Sequence, residues 1–128
     1  MNSLFPDICT DDVAACKRFY QSLFDFEIVA DLPWYVQLKS PRDSNLQIAF
    51  VERSHASVPP GFRETPRGVF VTIEADDVAP LAARARELGL SHVLELCDEP
   101  WGQRHFIVRD PNGLPVDVVQ YIGPCNPT

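Results

Sequence analysis

The sequence predicts an α+β fold of two paired βαβββ modules, whose curved mixed sheets form a cup with the helices on the outside. The main observation is an internal repeat. The segment that begins at Phe5 recurs 65 positions later as the segment that begins at Phe70, and six of eleven residues coincide. Each copy is followed by a helical pattern and then by three extended segments. A repeat of this kind indicates two equivalent units that pack together.

The first half is predicted to contain one helix and four strands. Its strands are expected at 4–9, 26–31, 34–39 and 46–51, where apolar and polar residues alternate or form short apolar runs. Asp12 precedes the helix and is a suitable N-cap, as is Asp11. Phe24 stands at the position where the second copy has Gly89, so we expect this helix to end differently. The apolar stripe of the helix consists of Val13, Cys16, Tyr20 and Leu23.

The second half repeats the same order of elements. Its strands are expected at 69–74, 92–96, 104–109 and 115–121, and its apolar helix stripe consists of Val78, Leu81, Ala85 and Leu88. Asp76 and Asp77 are the expected N-caps, and Gly89 is the expected C-cap. The late parts of the halves align with an offset of 70. This offset makes Gln47 and Asp117 equivalent positions.

The chain is predicted to be one domain over residues 1–128. Module 1 covers about 4–53 and module 2 covers about 69–121. The segment 54–68 is rich in proline and glycine, so we interpret it as a linker. Its length would allow one module to pair with another chain. We therefore expect a homodimer, and the sequence leaves open whether that dimer is domain-swapped.

Composition narrows the classes of partner. The 128 residues are 45% hydrophobic and carry a formal net charge of −7, which argues against nucleic-acid binding. No apolar stretch suits a signal peptide or a membrane span, so we predict a cytoplasmic protein. The cysteines are expected to be free thiols, and they lack the close Cys-x-x-Cys spacing of a zinc knuckle. Their positions are Cys9, Cys16, Cys97 and Cys125.

Each predicted helix can cover only one face of its sheet, so the opposite face must be buried elsewhere or form a binding wall. Alternation along the strands sorts side chains between the two faces. The residues predicted to face the helices are Leu4, Ile8, Leu46, Ile48, Val69, Val71, Ile73, Val116 and Val118. The residues predicted to face the cup are Phe5, Asp7, Gln47, Ala49, Phe70, Thr72, Asp117, Val119 and Tyr121.

Two segments carry a resemblance to a known family. The segment 100–113 has the sequence PWGQRHFIVRDPNG, and the segment 12–20 has the sequence DVAACKRFY. With the repeat, they resemble the vicinal oxygen chelate superfamily, which contains glyoxalase I, extradiol dioxygenases and bleomycin-resistance proteins, and are most similar to the bleomycin-resistance type. The Asp-Pro-Asn-Gly run also has the composition of a tight turn, so we interpret Asp110 as a turn cap.

The resemblance implies where a metal would bind. Metal-dependent members place ligands on the first and last strands of both modules, and the positions here are Phe5, Gln47, Phe70 and Asp117. A phenyl ring donates no lone pair, so we predict no metal and no other cofactor at this site. The histidines do not replace the missing ligands. His55 lies in the linker, His92 is expected to be solvated on an edge strand, and His105 alone is expected to reach the cup.

The predicted site is an aromatic pocket with a few polar anchors. Its expected residues are Phe5, Asp7, Gln47, Phe70, Trp101, His105, Asp117 and Tyr121. The favoured function is metal-independent sequestration of a cationic or aromatic small molecule in a cavity between the modules, as in antibiotic resistance. One alternative is a lyase or dioxygenase with a non-standard metal site, which would use Gln47, Asp117 and His105. A third is an interaction module in which Phe5 and Phe70 fill the cup.

Overall fold

A computed structural model describes residues 1–123 of the chain, and Cys125 lies outside them. The described residues form two compact units that divide between Arg67 and Gly68. Each unit contains one helix and one four-stranded mixed sheet, in the order strand, helix, strand, strand, strand. The predicted α+β class and the βαβββ composition of both modules are therefore confirmed.

The first unit has the strand order β1-β4-β3-β2, and β1 is parallel to β4 while the other pairs are antiparallel. Its elements are β1 (Asp7–Thr10), α1 (Val13–Phe24), β2 (Glu27–Leu32), β3 (Tyr35–Lys39) and β4 (Gln47–Glu52). Regular pairing of β1 starts later than predicted, and only an isolated bridge joins Leu4 to Leu46. Pro6 has no amide hydrogen to donate to a ladder, which accounts for the late start.

The second unit has the matching order β5-β8-β7-β6, with β5 parallel to β8. Its elements are β5 (Val71–Glu74), α2 (Ala79–Glu87), β6 (His92–Glu99), β7 (Gln103–Arg109) and β8 (Pro115–Tyr121). Strand β6 is longer than predicted, and it continues to the turn that precedes β7. Neither helix among residues 1–123 is long and apolar enough to cross a membrane.

The two helices begin differently although their sequences repeat. Asp12 caps α1, because its Oδ1 accepts a hydrogen bond from the Ala15 amide at 2.9 Å. In α2 the N-cap residue is Val78, which offers no side-chain hydrogen bond. The predicted N-cap position of Asp76 or Asp77 is therefore wrong, although Oδ1 of Asp77 accepts a longer hydrogen bond, of 3.3 Å, from the Ala79 amide. Proline in the first turn of α2 already has a helical φ, so it favours a start one residue later.

The helix ends agree with the sequence prediction. Gly89 follows α2 with φ of +71°, and the Gly89 and Leu90 amides donate to the carbonyls of Arg86 and Ala85. This pair of bonds is the Schellman arrangement, which needs a left-handed residue at that position. Helix α1 instead ends at Asp25, whose φ of 59° places a non-glycine residue in the left-handed region.

The helix-facing sides of both sheets form the cores of the units. In the first unit, Tyr20 of α1 is fully buried and its ring centroid lies 5.1 Å from that of Phe50. In the second unit, the buried residues of α2 are small, and of the predicted apolar stripe Leu81 is half-buried and Leu88 is exposed. The residues that are buried on this side of the helix and at its N-cap are Val78, Ala82 and Ala85. The residues predicted to face the helices but found exposed are Leu4, Leu46 and Val69, all of which precede a regular strand.

The last strands of the two units are related by 68 positions, from 47 to 115, rather than by 70. The hairpin loop spans residues 40–46 in the first unit and residues 110–114 in the second, so the first loop is longer by two residues. The pairs that close these loops are Lys39 with Gln47 and Arg109 with Pro115. Gln47 is therefore equivalent to Pro115.

The pairing of the parallel strands gives the same offset of 68 positions between the last strands. Asp7 pairs with Ala49, and Thr72 pairs with Asp117. Since Asp7 and Thr72 are 65 positions apart, as the repeat requires, Asp117 is equivalent to Ala49. The predicted equivalence of Gln47 and Asp117 is wrong. Gln47 and Asp117 still lie on the sheet faces that were predicted for them, because a shift of two residues keeps a side chain on the same face.

The proline-rich segment 54–67 packs on the first unit. Trp34 and His55 stack with ring centroids 3.7 Å apart, and Val58 is buried. The thiol of Cys9 lies 3.6 Å from the carbonyl oxygen of Phe62. These contacts make the predicted linker part of the first unit rather than a free connection.

The helix starts provide a test of the capping difference. Asp12→Ala should lower the free energy of unfolding by about 0.5–2 kcal/mol, because the Ala15 amide loses its acceptor. Asp77→Ala is the comparison variant, since it removes the same charge near a helix start together with the longer bond of 3.3 Å from the Ala79 amide. The loss for Asp77→Ala should be smaller, as measured by urea unfolding. Equal losses would show that the 2.9 Å cap bond of Asp12 stabilises α1 no more than the longer bond of Asp77 stabilises α2.

Candidate functional site

The face of the second sheet opposite α2 carries a cluster of polar and aromatic side chains. The register places Ile107 beside Asp117 and His105 beside Val119, so these side chains share one face. Phe106, between them in sequence, points to the opposite face and is buried. We call this surface, which also includes Cys97, Glu99, Gln103 and Tyr121, the uncovered face of the second unit, meaning only that α2 lies on the other side, since His105, Asp117 and Val119 are buried.

His105 is at the centre of the uncovered face, and it is only 5% exposed. Its Nδ1 lies 2.8 Å from Oδ1 of Asp117, which is 9% exposed. Its Nε2 lies 3.5 Å from Oε2 of Glu99 but is buried and makes no hydrogen bond among the described residues. Buried polar atoms are nearly always hydrogen-bonded, so this bare nitrogen needs a physical explanation.

Cys97 lies directly across the β6–β7 pair from His105. Its Sγ is 3.8 Å from Oε1 of Glu99. Ligand atoms from Cys97, Glu99 and His105 all lie within 4.8 Å of one another. Burial, followed by the nearby Glu99 carboxylate, raises the pKa of the Cys97 thiol above its ordinary value. The cluster therefore joins a neutral thiol, a carboxylate and an imidazole.

Aromatic rings lie around this polar cluster. The Trp101 ring meets the His105 ring edge-on at 6.4 Å, and its Nε1 donates to Oε1 of Gln103 at 2.8 Å. Tyr121, which pairs with Gln103, is 60% exposed. Phe70 lies at the other end of the sheet and is 61% exposed, so it does not fill a core in the described chain. The face thus has an acidic centre with aromatic residues towards both ends.

The matching face of the first unit is polar and hydrogen-bonded. The Tyr35 hydroxyl lies 3.3 Å from Oδ1 of Asp7 and 3.1 Å from Oε1 of Gln37. Gln37 donates through Nε2 to Oε1 of Gln47, which in turn donates to the Ser44 carbonyl at 2.7 Å. This hydrogen-bonded row crosses the sheet and fixes the orientation of each amide. Its chemistry is that of an ordered polar wall made of amides and a hydroxyl, with Asp7 as its acidic member.

The positions implied for a metal do not fit one. In the first unit, Phe5 has no donor atom, and both polar atoms of Gln47 already make hydrogen bonds. In the second unit, Phe70 has no donor atom, and Oδ1 of Asp117 is bound to His105. Divalent ions require several oxygen, nitrogen or sulfur ligands, which this set does not provide. We therefore derive no chemistry from a metal at these positions.

A polar cleft of about 350 Å³ is present in the first unit, away from the predicted residues. It is lined by Asp11, Glu52, Arg53, Ser54 and Arg63. Arg53 is held there by an ion pair with Asp11 and by a hydrogen bond from its guanidinium to the Arg63 carbonyl. The charges in this cleft thus largely satisfy one another, and it lacks the aromatic lining expected of the predicted pocket.

The structure divides the predicted site residues between the units. It brings Trp101, His105 and Asp117 together, with Tyr121 nearby and Phe70 at the far end of the same face. The residues predicted in the first unit are Phe5, which is half-buried, Asp7, which is exposed, and Gln47, which is half-buried.

Sequence reasoning missed Cys97 and Glu99. The sequence signal was that Cys97 and Glu99 are spaced by two residues, so they share one side of a strand, and that a short turn connects this strand to the strand that contains His105.

The predicted role of Asp110 is confirmed, whereas the prediction for His92 is only partly right. Asp110 is a turn cap as predicted, because its Oδ1 accepts from the amides of Asn112 and Leu114 at 2.8 and 2.9 Å. His92 is on an edge strand as predicted, but its expected solvation is wrong. Its Nε2 is buried and its ring packs against Phe106 with centroids 5.7 Å apart.

Tyr35 provides a test of the polar row. Burial, with the charge of Asp7 and a hydrogen bond to it, raises the pKa of Tyr35 to about 12. In an ultraviolet titration, the difference between the parent and Tyr35→Phe should therefore show a phenolate that forms near pH 12. Asp7→Asn should lower this pKa while leaving it above 10, because burial remains. An unchanged value in Asp7→Asn would show that the two groups do not interact.

The same pKa shift predicts a loss of stability at high pH. Because the folded protein holds Tyr35 neutral and the unfolded chain ionises near pH 10, the stabilisation is present below pH 10 and is lost as the pH rises towards 12. Tyr35→Phe should lose less stability than the parent over this range.

Comparisons with known proteins agree with this architecture. Residues 3–118 match the family model described as the glyoxalase/bleomycin resistance protein/dioxygenase superfamily. A search of curated proteins finds no match. A glyoxalase/bleomycin resistance protein/dioxygenase family enzyme from Burkholderia phytofirmans PsJN is 18% identical with a TM-score of 0.78, and the match covers 92% of this chain and 97% of that one.

Two further solved structures share the fold. TnmS3, an antibiotic binding protein from Streptomyces sp. CB03234, is 25% identical with a TM-score of 0.71, and the match covers 94% of this chain and 96% of that one. Lactoylglutathione lyase from Agrobacterium tumefaciens is 22% identical with a TM-score of 0.68, and the match covers 91% of both chains. Since the family model spans nearly the whole chain, this protein belongs to the glyoxalase/bleomycin resistance protein/dioxygenase superfamily.

Proposed function

We propose that this protein binds a cationic aromatic small molecule on the uncovered face of the second unit, without a metal at the first-strand and last-strand positions. The observation that carries the proposal is the set of accessible aromatic rings around a buried acidic centre. Phe70, Trp101 and Tyr121 are exposed, whereas Asp117 is buried and Glu99 is half-buried. Small-molecule sites typically combine apolar and aromatic walls with a few polar groups of this kind.

The electrostatics favour a positively charged guest. The chain carries a formal net charge of −7, and Glu99 and Asp117 flank His105 on the proposed face. A cation approaching this face is attracted by the overall charge and then by the two carboxylates. An anion would meet repulsion at the same place. The acidic centre therefore selects for charge, and the rings select for aromatic character.

The aromatic residues set the expected size of the guest. Trp101 and Tyr121 lie at one end of the face, and Phe70 lies one residue before the Val71–Val116 pair at the other. Positions 115 and 121 of β8 are separated by six residues, or about 20 Å. One ring system cannot contact both ends. A small dye should therefore bind at the Trp101 end, while a larger guest would engage both ends.

One solved structure with this fold supports the binding of an organic molecule as a use of the fold. TnmS3, one of the solved structures with this fold, is an antibiotic binding protein. We extend only that general activity, sequestration of an organic molecule, to this chain. The fold itself supports many chemistries, so the residues of the uncovered face carry the specific proposal.

A second candidate function is an enzyme of the lyase or dioxygenase kind with a non-standard metal site. The observation that favours it is the bare Nε2 of His105 beside Cys97 and Glu99. Of the residues suggested by the sequence, His105 lies in this cluster and Asp117 is hydrogen-bonded to it, whereas Gln47 belongs to the first unit. Turnover of a thiol-adduct or catechol substrate that depends on added metal would favour this candidate over sequestration.

The homodimer and the cytoplasmic location stay predictions. Size-exclusion chromatography with light scattering would test the oligomeric state, and a mass of one chain would contradict the predicted dimer. Fractionation of the source cells would test the location.

A cationic acridine dye provides a direct test of binding. Calorimetry should show saturable heat with the parent protein and none with an anthracene sulfonate of similar size. Trp101→Leu should weaken binding by about 2–30-fold, which corresponds to a cation–π contribution of about 0.5–2 kcal/mol. Trp34→Leu is the matched control, because Trp34 stacks on His55 in the first unit, and it should bind as the parent does.

The same titration in EDTA tests metal independence. The dissociation constant should be unchanged by the chelator. Absence of heat with every cationic aromatic compound, or equal weakening by Trp34→Leu and Trp101→Leu, would contradict the proposed site. Loss of binding in EDTA would contradict the metal-independent mode.

A further inference from the structure

We propose that Cys97, Glu99 and His105 form a site for one Zn²⁺ ion on the uncovered face of the second unit. The three ligands lie on the β6–β7 hairpin within a single module. They are therefore distinct from the first-strand and last-strand positions that do not fit a metal. The inference goes beyond the proposed function, because it concerns an inorganic ligand and does not require the aromatic guest.

The distances suit a tetrahedral ion. With Zn–N and Zn–O bonds of about 2.0–2.1 Å and a Zn–S bond of about 2.3 Å, neighbouring donor atoms stand about 3.5 Å apart. Nε2 of His105 and Oε2 of Glu99 are already 3.5 Å apart, and Sγ of Cys97 is 3.8 Å from Oε1 of Glu99. These two contacts use different oxygens of Glu99, and the set as a whole lies within 4.8 Å, so the ligand atoms must approach one another by up to about 1.3 Å to bind one ion.

The bare nitrogen of His105 is the second, independent observation. Asp117 accepts the proton of Nδ1 at 2.8 Å, which leaves the lone pair of Nε2 directed into the cluster. Nε2 is buried and makes no hydrogen bond among the described residues. A carboxylate that fixes the tautomer of a histidine in this way is the usual partner of a zinc ligand. Asp117 is thus a positioning residue in this site and Nε2 is the ligand atom.

The donor set selects the class of metal. One thiolate sulfur, which forms when the Cys97 thiol releases its proton to solvent on binding, suits Zn²⁺ together with one nitrogen and one carboxylate oxygen, whereas Mg²⁺ and Ca²⁺ prefer oxygen ligands alone. Three protein ligands leave one coordination position for water or for a donor atom of a bound molecule. Glu99 retains 24% of its side-chain exposure, so solvent reaches this side chain of the cluster.

The hairpin register explains why these three residues meet. Cys97 stands directly opposite His105, and Glu99 stands opposite Gln103, two positions nearer the turn. Residues spaced by two share a face of a strand, so Cys97 and Glu99 both point to the side of His105. Asp98, between them, points to the other side and pairs with Arg104. The alternation separates the proposed ligands from this surface ion pair.

Calorimetry with Zn²⁺ alone on tag-free, chelator-treated protein tests the site. The parent should bind one equivalent and should unfold at a higher temperature when zinc is present. Co²⁺ should give a thiolate-to-cobalt charge-transfer band and the strong visible bands of a tetrahedral ion. Cys97→Ser should remove the charge-transfer band, and Glu99→Gln should weaken zinc binding without changing the fold.

Asp117→Ala tests the positioning role. Loss of such a partner typically weakens metal binding by about 10–100-fold. The cobalt charge-transfer band should remain, because all three ligands are still present. A purely structural role for Asp117 would lower stability and leave zinc affinity unchanged in the folded fraction, which would overturn this part of the inference.

His92→Ala is the matched control for histidine, and Cys9→Ser is the control for the thiol. Neither should alter zinc stoichiometry or the cobalt spectrum. Absence of zinc binding by the parent would overturn the inference. Zinc binding that persists when Cys97→Ser and His105→Ala are combined, but falls in His92→Ala, would also overturn it. These outcomes are separable from the acridine titration in EDTA. A protein that binds the dye but not zinc would overturn only the metal site.

Discussion

A single helix cannot cover both faces of a four-stranded sheet, and this constraint determines the chemistry of both units. The faces towards α1 and α2 are apolar and form the cores. The opposite faces have no helix, so their side chains need not be apolar. In each unit the residues on that face are instead organised by hydrogen bonds, which compensate for the partial burial of their polar groups.

The two units meet this constraint in different ways. The first uses a row of neutral amides and a hydroxyl that ends at Asp7, in which Gln47 has both of its polar atoms bound. The second places Asp117 where the first has Ala49, and pairs it with His105. The duplication therefore preserves the fold while the second unit alone acquires a buried acid–imidazole pair.

The repeat and the alternation of side chains predicted most of the fold. The order of elements, the mixed sheets and the face on which His105 and Asp117 lie follow from the internal repeat and from the alternation of side chains along each strand. The start of α2 was predicted wrongly, because Pro80 fixes helical geometry after the residues that resemble a cap. Local propensity could not decide between these two signals.

The site was less predictable than the fold, for a reason of register. Sequence alignment placed Gln47 and Asp117 at equivalent positions, but a loop longer by two residues shifts the last strand of the first unit. The contact of Cys97 and Glu99 with His105 depends on the pairing of β6 and β7 and on the extension of β6 to Glu99. Neither the loop shift nor the strand length is visible in composition or periodicity, since both follow from hydrogen-bond pairing between strands.

The central claim is that the uncovered face of the second unit is the binding face of this protein. The two tryptophans provide the most direct measurement, because each indole N–H gives its own signal in a nitrogen–proton correlation spectrum. During titration with a cationic acridine dye, the Trp101 indole signal should move progressively while the Trp34 signal stays in place. Movement of the Trp34 signal alone, or of neither signal at saturating dye, would contradict the account.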